Sequence, residues 1–212
     1  MITFACTLWE PNDLSFSFSR MYDESWVEKL YRGFKRNTTR PFNFIVFTDK
    51  ERKFEHPEIA QTLFLAKGKP DYGTHCIEPY RLGRAMILVG LDTIITGNID
   101  ALVDYCTVPA HPRKRIAMPR DPYNARITCN GVGLIPPGWT NIWEEHNGQN
   151  DMEWIRSFDP AVIDDIFPGQ VVSYKGHVKP RGGLGDERIV YFHGEDKPHQ
   201  LSHLSWVTEN WR

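Results

Sequence analysis

Residues 87–100 read ILVGLDTIITGNID. Apolar and β-branched residues run to Val89, stop at Gly90-Leu91-Asp92, and resume with Thr93-Ile94-Ile95. A buried strand has no packing use for a carboxylate, because burying a charge costs free energy unless it is paired. Asp92 is therefore either a residue delivered to a cleft where the strand runs out, or a bulge or turn residue ahead of Thr93. The neighbouring segments decide which architecture can use it.

Working outward, the strand containing this segment is read as Arg84 to Thr96. Upstream, Ile2 to Trp9 reads as a buried strand ending in the turn residues Glu10-Pro11-Asn12-Asp13. Between Asp23 and Arg36, Trp26, Val27, Leu30, Tyr31 and Phe34 recur at helical spacing, with Asp23-Glu24 in front and Lys35-Arg36 behind, the polarity a helix dipole favours. Phe42 to Thr48, ending in Asp49, and Thr62 to Ala66 read as further strands. Alternating strand and helix imply an α/β sandwich with a largely parallel sheet, whose ligands collect at the carboxyl ends of the strands.

Downstream the pattern is less regular. Short strands are expected at Arg115 to Pro119, Ile127 to Ile135, Val171 to Tyr174 and Ile189 to Phe192, and helices at Trp139 to His146, Asp151 to Phe158 and Ser202 to Trp211. No repeat or low-complexity linker divides the chain, so 212 residues are read as one domain, with a functional seam near Cys106.

Composition excludes more than it selects. A net charge of −2 argues against nucleic-acid binding through bulk electrostatics. The cysteines Cys6, Cys76, Cys106 and Cys129 form no C-x-x-C pair, which fits reduced thiols in the cytoplasm. The first residues carry no basic leader and no segment approaches the roughly 20 apolar residues of a membrane span, so a soluble, cytoplasmic protein is expected.

The chemistry gathers at strand ends. Asp49 and Asp92 each come after an apolar run, and the strand ending at Phe192 leads into His193-Gly194-Glu195-Asp196-Lys197-Pro198-His199. Delivered to one sheet edge, two carboxylates, an imidazole and an ammonium could meet a divalent metal and a phosphate. That is the form of a nucleoside diphosphate site.

The order of Phe47-Thr48-Asp49, then ILVGLDTIITGNID, then FPGQVVSYKGHV (167–178), then VYFHGEDKP (190–198) resembles a GT-A glycosyltransferase of the glycogenin-like family eight group across nearly the whole chain. The resemblance implies a single GT-A domain over residues 1–212, Rossmann-like, its mixed, mostly parallel sheet flanked by helices. Residues 1–105 would be the nucleotide-binding half and 106–212 the sugar and acceptor half. It implies a retaining hexosyltransferase using a nucleotide sugar, most often a UDP-hexose, with Mn2+ or Mg2+. Asp92 matches the second carboxylate of the family's metal-binding Asp-x-Asp motif, while Gly90 stands where the first would be. By the same resemblance His193 is the other metal ligand, Lys197 meets the phosphates, and Gly194 leaves room for a ligand's close approach. Thr7 and Leu8 would meet the base through backbone groups, Asp49 the base or ribose, and Asn130 the donor sugar. Asp151, in a stretch that keeps the Asp of the family's Gly-Asp-Gln motif but has Met152 in place of the amide, would sit near the sugar with Asp92 as the second catalytic carboxylate. The acceptor, a glycan, lipid or protein, is not legible.

Each residue also has a plainer reading. Asp49 can cap a strand end, Asn130-Gly131 can be a turn, Asp151 can be an N-cap, His193 a satisfied strand-end histidine and Lys197 a solvated lysine. The basic run His111-Pro112-Arg113-Lys114-Arg115 is a solvated loop or an anionic acceptor contact, and Trp139, Trp143, Trp154, Trp206 and Trp211 are mostly core, with one or two of them available to line an acceptor cleft. Two other functions are weighed: a catalytically silent nucleotide-binding relative, favoured by Gly90 and Met152, and a zinc hydrolase built on His199-x-x-x-His203, which lacks the general-base Glu of H-E-x-x-H.

Overall fold

The computed structural model describes residues 1–109 and 114–212. In chain order the elements are β1 (Ile2–Leu8), α1 (Phe16–Ser19), α2 (Glu24–Asn37), β2 (Phe42–Thr48), β3 (Ile59–Leu63), β4 (Met86–Val89), β5 (Ile94–Ile95), α3 (Asp100–Thr107), β6 (Ala117–Met118), β7 (Val132–Ile135), α4 (Asn141–Glu144), α5 (Asp151–Arg156), β8 (Ala161–Val162), α6 (Ile163–Ile166), β9 (Val171–Ser173), α7 (Lys179–Arg181), β10 (Ile189–Tyr191) and α8 (Ser205–Asn210). Short 3-10 turns cover Glu78–Leu82 and Pro198–Gln200.

Strand β1 lies at the heart of a seven-stranded sheet of order β3-β2-β1-β4-β7-β6-β8. It pairs in parallel with β2, Ile2 opposite Phe42 through Leu8 opposite Thr48, and with β4 on its other side. The β2–β3 and β6–β8 pairs are also parallel, whereas β7 runs antiparallel to both β4 and β6, so the sheet is mixed and mostly parallel. Helix α2 covers one face. The Asp23 side chain caps it by accepting from the Ser25 N–H at 2.9 Å, and Trp26, Val27, Leu30, Tyr31 and Phe34 turn inward. Phe34 stacks on Phe4 of β1 at 4.0 Å between ring centroids. The other face is covered by Ile77, Tyr80, Trp139, Ile142 and Ile155.

The segment expected as one strand, Arg84 to Thr96, is two. β4 ends at Val89, a turn closes where the Thr93 N–H meets the Gly90 carbonyl at 3.2 Å, and β5 leaves for a second sheet of order β5-β10-β9. Gly90-Leu91-Asp92 is the point at which the chain changes sheets, which puts Asp92 between them. The helix α3 has no counterpart in the sequence reading. Its start is organised by Asp100, whose carboxylate accepts from the Thr38 and Thr39 hydroxyls at 2.7 and 2.6 Å and from the Thr39 N–H at 2.9 Å. The expected strands at Thr62 to Ala66 and Ile127 to Ile135 are displaced or shortened to β3 and β7. Among the described residues no helix is long and apolar enough to cross a membrane.

Candidate functional site

A cleft of about 850 Å³ opens at the carboxyl ends of β1 and β4, where Thr7, Leu8 and Gly90 to Asp92 line it. The segment after β10 supplies His193, Gly194 and Lys197, and the far wall carries Asn130 and Asp151. Eight of the nine residues expected in the site, all but Asp49, therefore share one cavity.

On the near side, Asp92 is 7% exposed and Lys197 8%. The Lys197 ammonium donates to Asp92 Oδ2, and the Tyr22 hydroxyl donates to the same oxygen at 2.9 Å. Burial, followed by the Asp92 charge, pushes the Tyr22 phenol far up, so it stays a donor. The Lys197 backbone is fixed where its N–H meets Gln200 Oε1 at 2.8 Å, in front of the Pro198–Gln200 turn. Asp196, at φ +62°, is tied to Lys179 at 2.7 Å, and Gly194 takes φ +63°. These contacts turn the chain so that Lys197 reaches inward.

His193 Nε2 shares a 2.7 Å hydrogen bond with the buried Ser173 hydroxyl at the end of β9. Its pKa is lowered by burial and then by the Lys175 ammonium, against an opposing pull from Asp92, so the ring is neutral at pH 7. The Tyr123 ring meets it edge-on, centroids 5.5 Å apart.

On the far side, Asp151 is the first residue of α5. Asn150, and not Asp151, is the N-cap, accepting from the Glu153 N–H at 3.2 Å. The Asp151 carboxylate is thus free to turn into the cleft, where Asn130 donates to Oδ2. Burial holds the Asp151 pKa above the usual carboxylate range, against the opposing effect of its hydrogen bonds from Met152 and Asn130.

Asp49 is not brought to the cleft. Its carboxylate accepts from Arg52 at 2.8 Å and from the Glu10 N–H at 3.0 Å, which is the plainer reading of a strand-end acid. The cause is Arg52, whose side chain is 2% exposed and which also meets Glu24 at 2.8 Å and Thr48 at 2.7 Å. An arginine buried that deeply needs the acid next to it.

The zinc-pair geometry is not formed either. His199 lies in the 3-10 turn, edge-on to Trp26 at 5.3 Å, and His203 precedes α8, so the two do not share a helix. Of the basic run, His111 to Arg113 lie outside the described residues. Lys114 donates to the Tyr105 carbonyl at 3.1 Å and Arg115 pairs with Asp159 at 2.7 Å. Among the described tryptophans Trp9, and none of the five named from the sequence, lines the cleft. Tyr22, Ser173 and Lys175 escaped the sequence reading. Ser173 and Lys175 lie inside FPGQVVSYKGHV, a segment recognised as a motif but given no roles.

No protein-family model matches the sequence, and no curated protein matches it. Solved structures do. The chain aligns over 98% of its length with the galactosyltransferase LgtC in complex with donor and acceptor sugar analogs, covering 93% of that chain at 9% identity and a TM-score of 0.58. It aligns over the same share with the glycosyltransferase GlyE of Streptococcus pneumoniae TIGR4 at 11% identity and a TM-score of 0.57, and with the bifunctional WbbM at 9% and 0.54. The fold is that of the GT-A glycosyltransferases. The chain spans 62% of GlyE and 50% of WbbM, and at these identities the likeness is one of fold.

A divalent ion, which the resemblance implies, finds few donors in this GT-A cleft. Asp92 Oδ2 is taken by Lys197 and Tyr22, and His193 Nε2 by Ser173. Gly90 contributes no ligand. Among the described residues the one group with three candidate ligand atoms within 4.8 Å of one another is Glu28, Glu55 and His56, none of which lines the cleft. The residues present do not fit a resident metal ion.

Proposed function

We propose that the protein is a glycosyltransferase that moves a hexose from a nucleoside diphosphate sugar, a UDP-hexose in the commonest pattern of the family it resembles, to a glycan, lipid or protein acceptor with retention of configuration. One observation carries this: a GT-A sheet edge that holds an ammonium and an imidazole on one wall of its cleft and a buried carboxylate on the other. The resemblance assigns Mn2+ or Mg2+ to Asp92 and His193, but the roles of the cleft residues need no ion.

The base rests at the end of β1, meeting backbone groups of Thr7 and Leu8. The diphosphate lies toward Lys197, with Gly194 leaving the backbone open to it. The hexose then points at Asn130 and Asp151. As the anomeric C–O bond breaks, its electron pair passes to the β-phosphate oxygen, where Lys197 stabilises the growing negative charge. Asp151, ionised in the loaded cleft, faces the positive charge left on the anomeric carbon. The acceptor hydroxyl attacks from the leaving-group face and its proton passes to the departing phosphate.

The test is release of nucleoside diphosphate from a panel of UDP- and GDP-hexoses. Slow release from at least one donor, lost in Asp151→Asn, is expected. Absence of both release and binding across the panel would contradict the proposal. Binding without release would favour the second reading, a silent nucleotide-binding relative, for which Gly90 and Met152 speak.

A further inference from the structure

We propose that this cleft holds the diphosphate of its donor on two lysines, Lys197 and Lys175, in place of a resident divalent ion. The inference rests on the donor-site reading and says how the charge at that site is met.

Gly90 does more than omit a ligand. A β-carbon at position 90 would stand 2.9 Å from Asp92 Oδ1, so the Asp92 carboxylate is folded back over the glycine and fills the space a second acid would need. Its other oxygen is held by Lys197 and Tyr22. The acid that would grip an ion is thus already neutralised by a buried ammonium, placed there by the turn beyond Gly194. An entering cation would have to displace Lys197 before it could use Oδ2.

Lys175 supplies a second positive charge. It comes after β9, directly behind Ser173-Tyr174, and its Nζ stands 3.5 Å from the point where a β-carbon on Gly194 would lie. Gly194 lines the cleft at φ +63°, a conformation that suits a residue with no side chain, so no side chain at that position stands between the Lys175 ammonium and the cleft. Among the described residues no carboxylate lies within ion-pair distance of Lys175, whereas Lys179 close by is tied to Asp196. Lys175 is therefore an ammonium without an acid, half-buried beside a bare stretch of cleft backbone next to His193. A diphosphate provides the anionic oxygens that both ammoniums can share through charge-assisted hydrogen bonds.

Calorimetric titration of the whole protein with UDP, GDP and uridine, in EDTA and again in excess manganese, tests this together with Lys175→Gln, whose fold is checked by circular dichroism. The expected result is a nucleoside diphosphate affinity that changes by no more than about twofold between the two buffers. In the variant that affinity should be weakened at least about tenfold while uridine is unaffected. Diphosphate binding that appears only with manganese overturns the inference and leaves the donor site standing. Binding in EDTA that Lys175→Gln leaves unchanged overturns the part given to Lys175. If neither nucleotide binds in either buffer, the inference and the donor-site reading fall together.

Discussion

Burial holds the Asp151 carboxylate above its usual pKa, so keeping it ionised costs the folded chain stability, a cost that a function would explain. Because the folded-state pKa is raised, the penalty is fully present above that pKa and vanishes below the ordinary carboxylate range, where the acid is protonated in both folded and unfolded chains. Asp151→Asn, whose amide can still bond Asn130, should therefore raise the melting temperature at pH 7, with the gain shrinking as the pH falls toward 3, while turnover is lost. A melting series against pH on both proteins checks it. The Asp92–Lys197 pair behaves oppositely. Removing one member strands a buried charge, so Lys197→Met should cost about 3 kcal/mol in a denaturant titration, and the double variant Asp92→Asn/Lys197→Met should recover most of that loss.

At the scale of elements, the local signals that physical chemistry makes strong were legible and the weak ones were not. β1, β2 and α2 stand where apolar runs and a 3.6-residue period place them, within a residue or two at their ends. The break at Gly90 was visible as a break, but that β5 joins another sheet depends on β10, some ninety residues later, and no local pattern shows that. Helix α3 went unseen because no side-chain cap marks its start at Ile99, and the residues that hold its first carboxylate, Thr38 and Thr39, lie far back in the chain. Asp49 was legible as a strand-end acid, yet its partner Arg52 settles where it points. Denaturant titration and calorimetry check that partnership. Arg52→Ala should destabilise the protein by about 1–2 kcal/mol, because it removes a buried guanidinium whose hydrogen bonds to Glu24, Asp49 and Thr48 are lost while the two acids, which keep contact with solvent, rehydrate. Asp49→Asn should lower stability but leave nucleoside diphosphate affinity within about twofold, since its carboxylate faces Arg52 and not the cleft.

For the whole molecule, a mostly parallel sheet brings the ends of β1 and β4 to one edge, and the second sheet swings the segment after β10 across to meet them. Residues separated by more than a hundred positions, Asp92 and Lys197, touch only because of that topology. The sequence motifs named Asp92, His193, Lys197, Asn130 and Asp151 because each sits at a strand end or in a recognisable stretch. Tyr22 and Lys175 stayed hidden because only the fold brings them near the site. That the cleft is a donor site is tested by a crystal structure of the protein with the nucleoside diphosphate that binds best. The diphosphate should lie between Lys197 and Gly194, its base against Thr7 and Leu8, and its terminal phosphate facing Asp151 across the cleft. A nucleotide seated elsewhere, or with its phosphates turned away from Lys197, would contradict the donor-site reading.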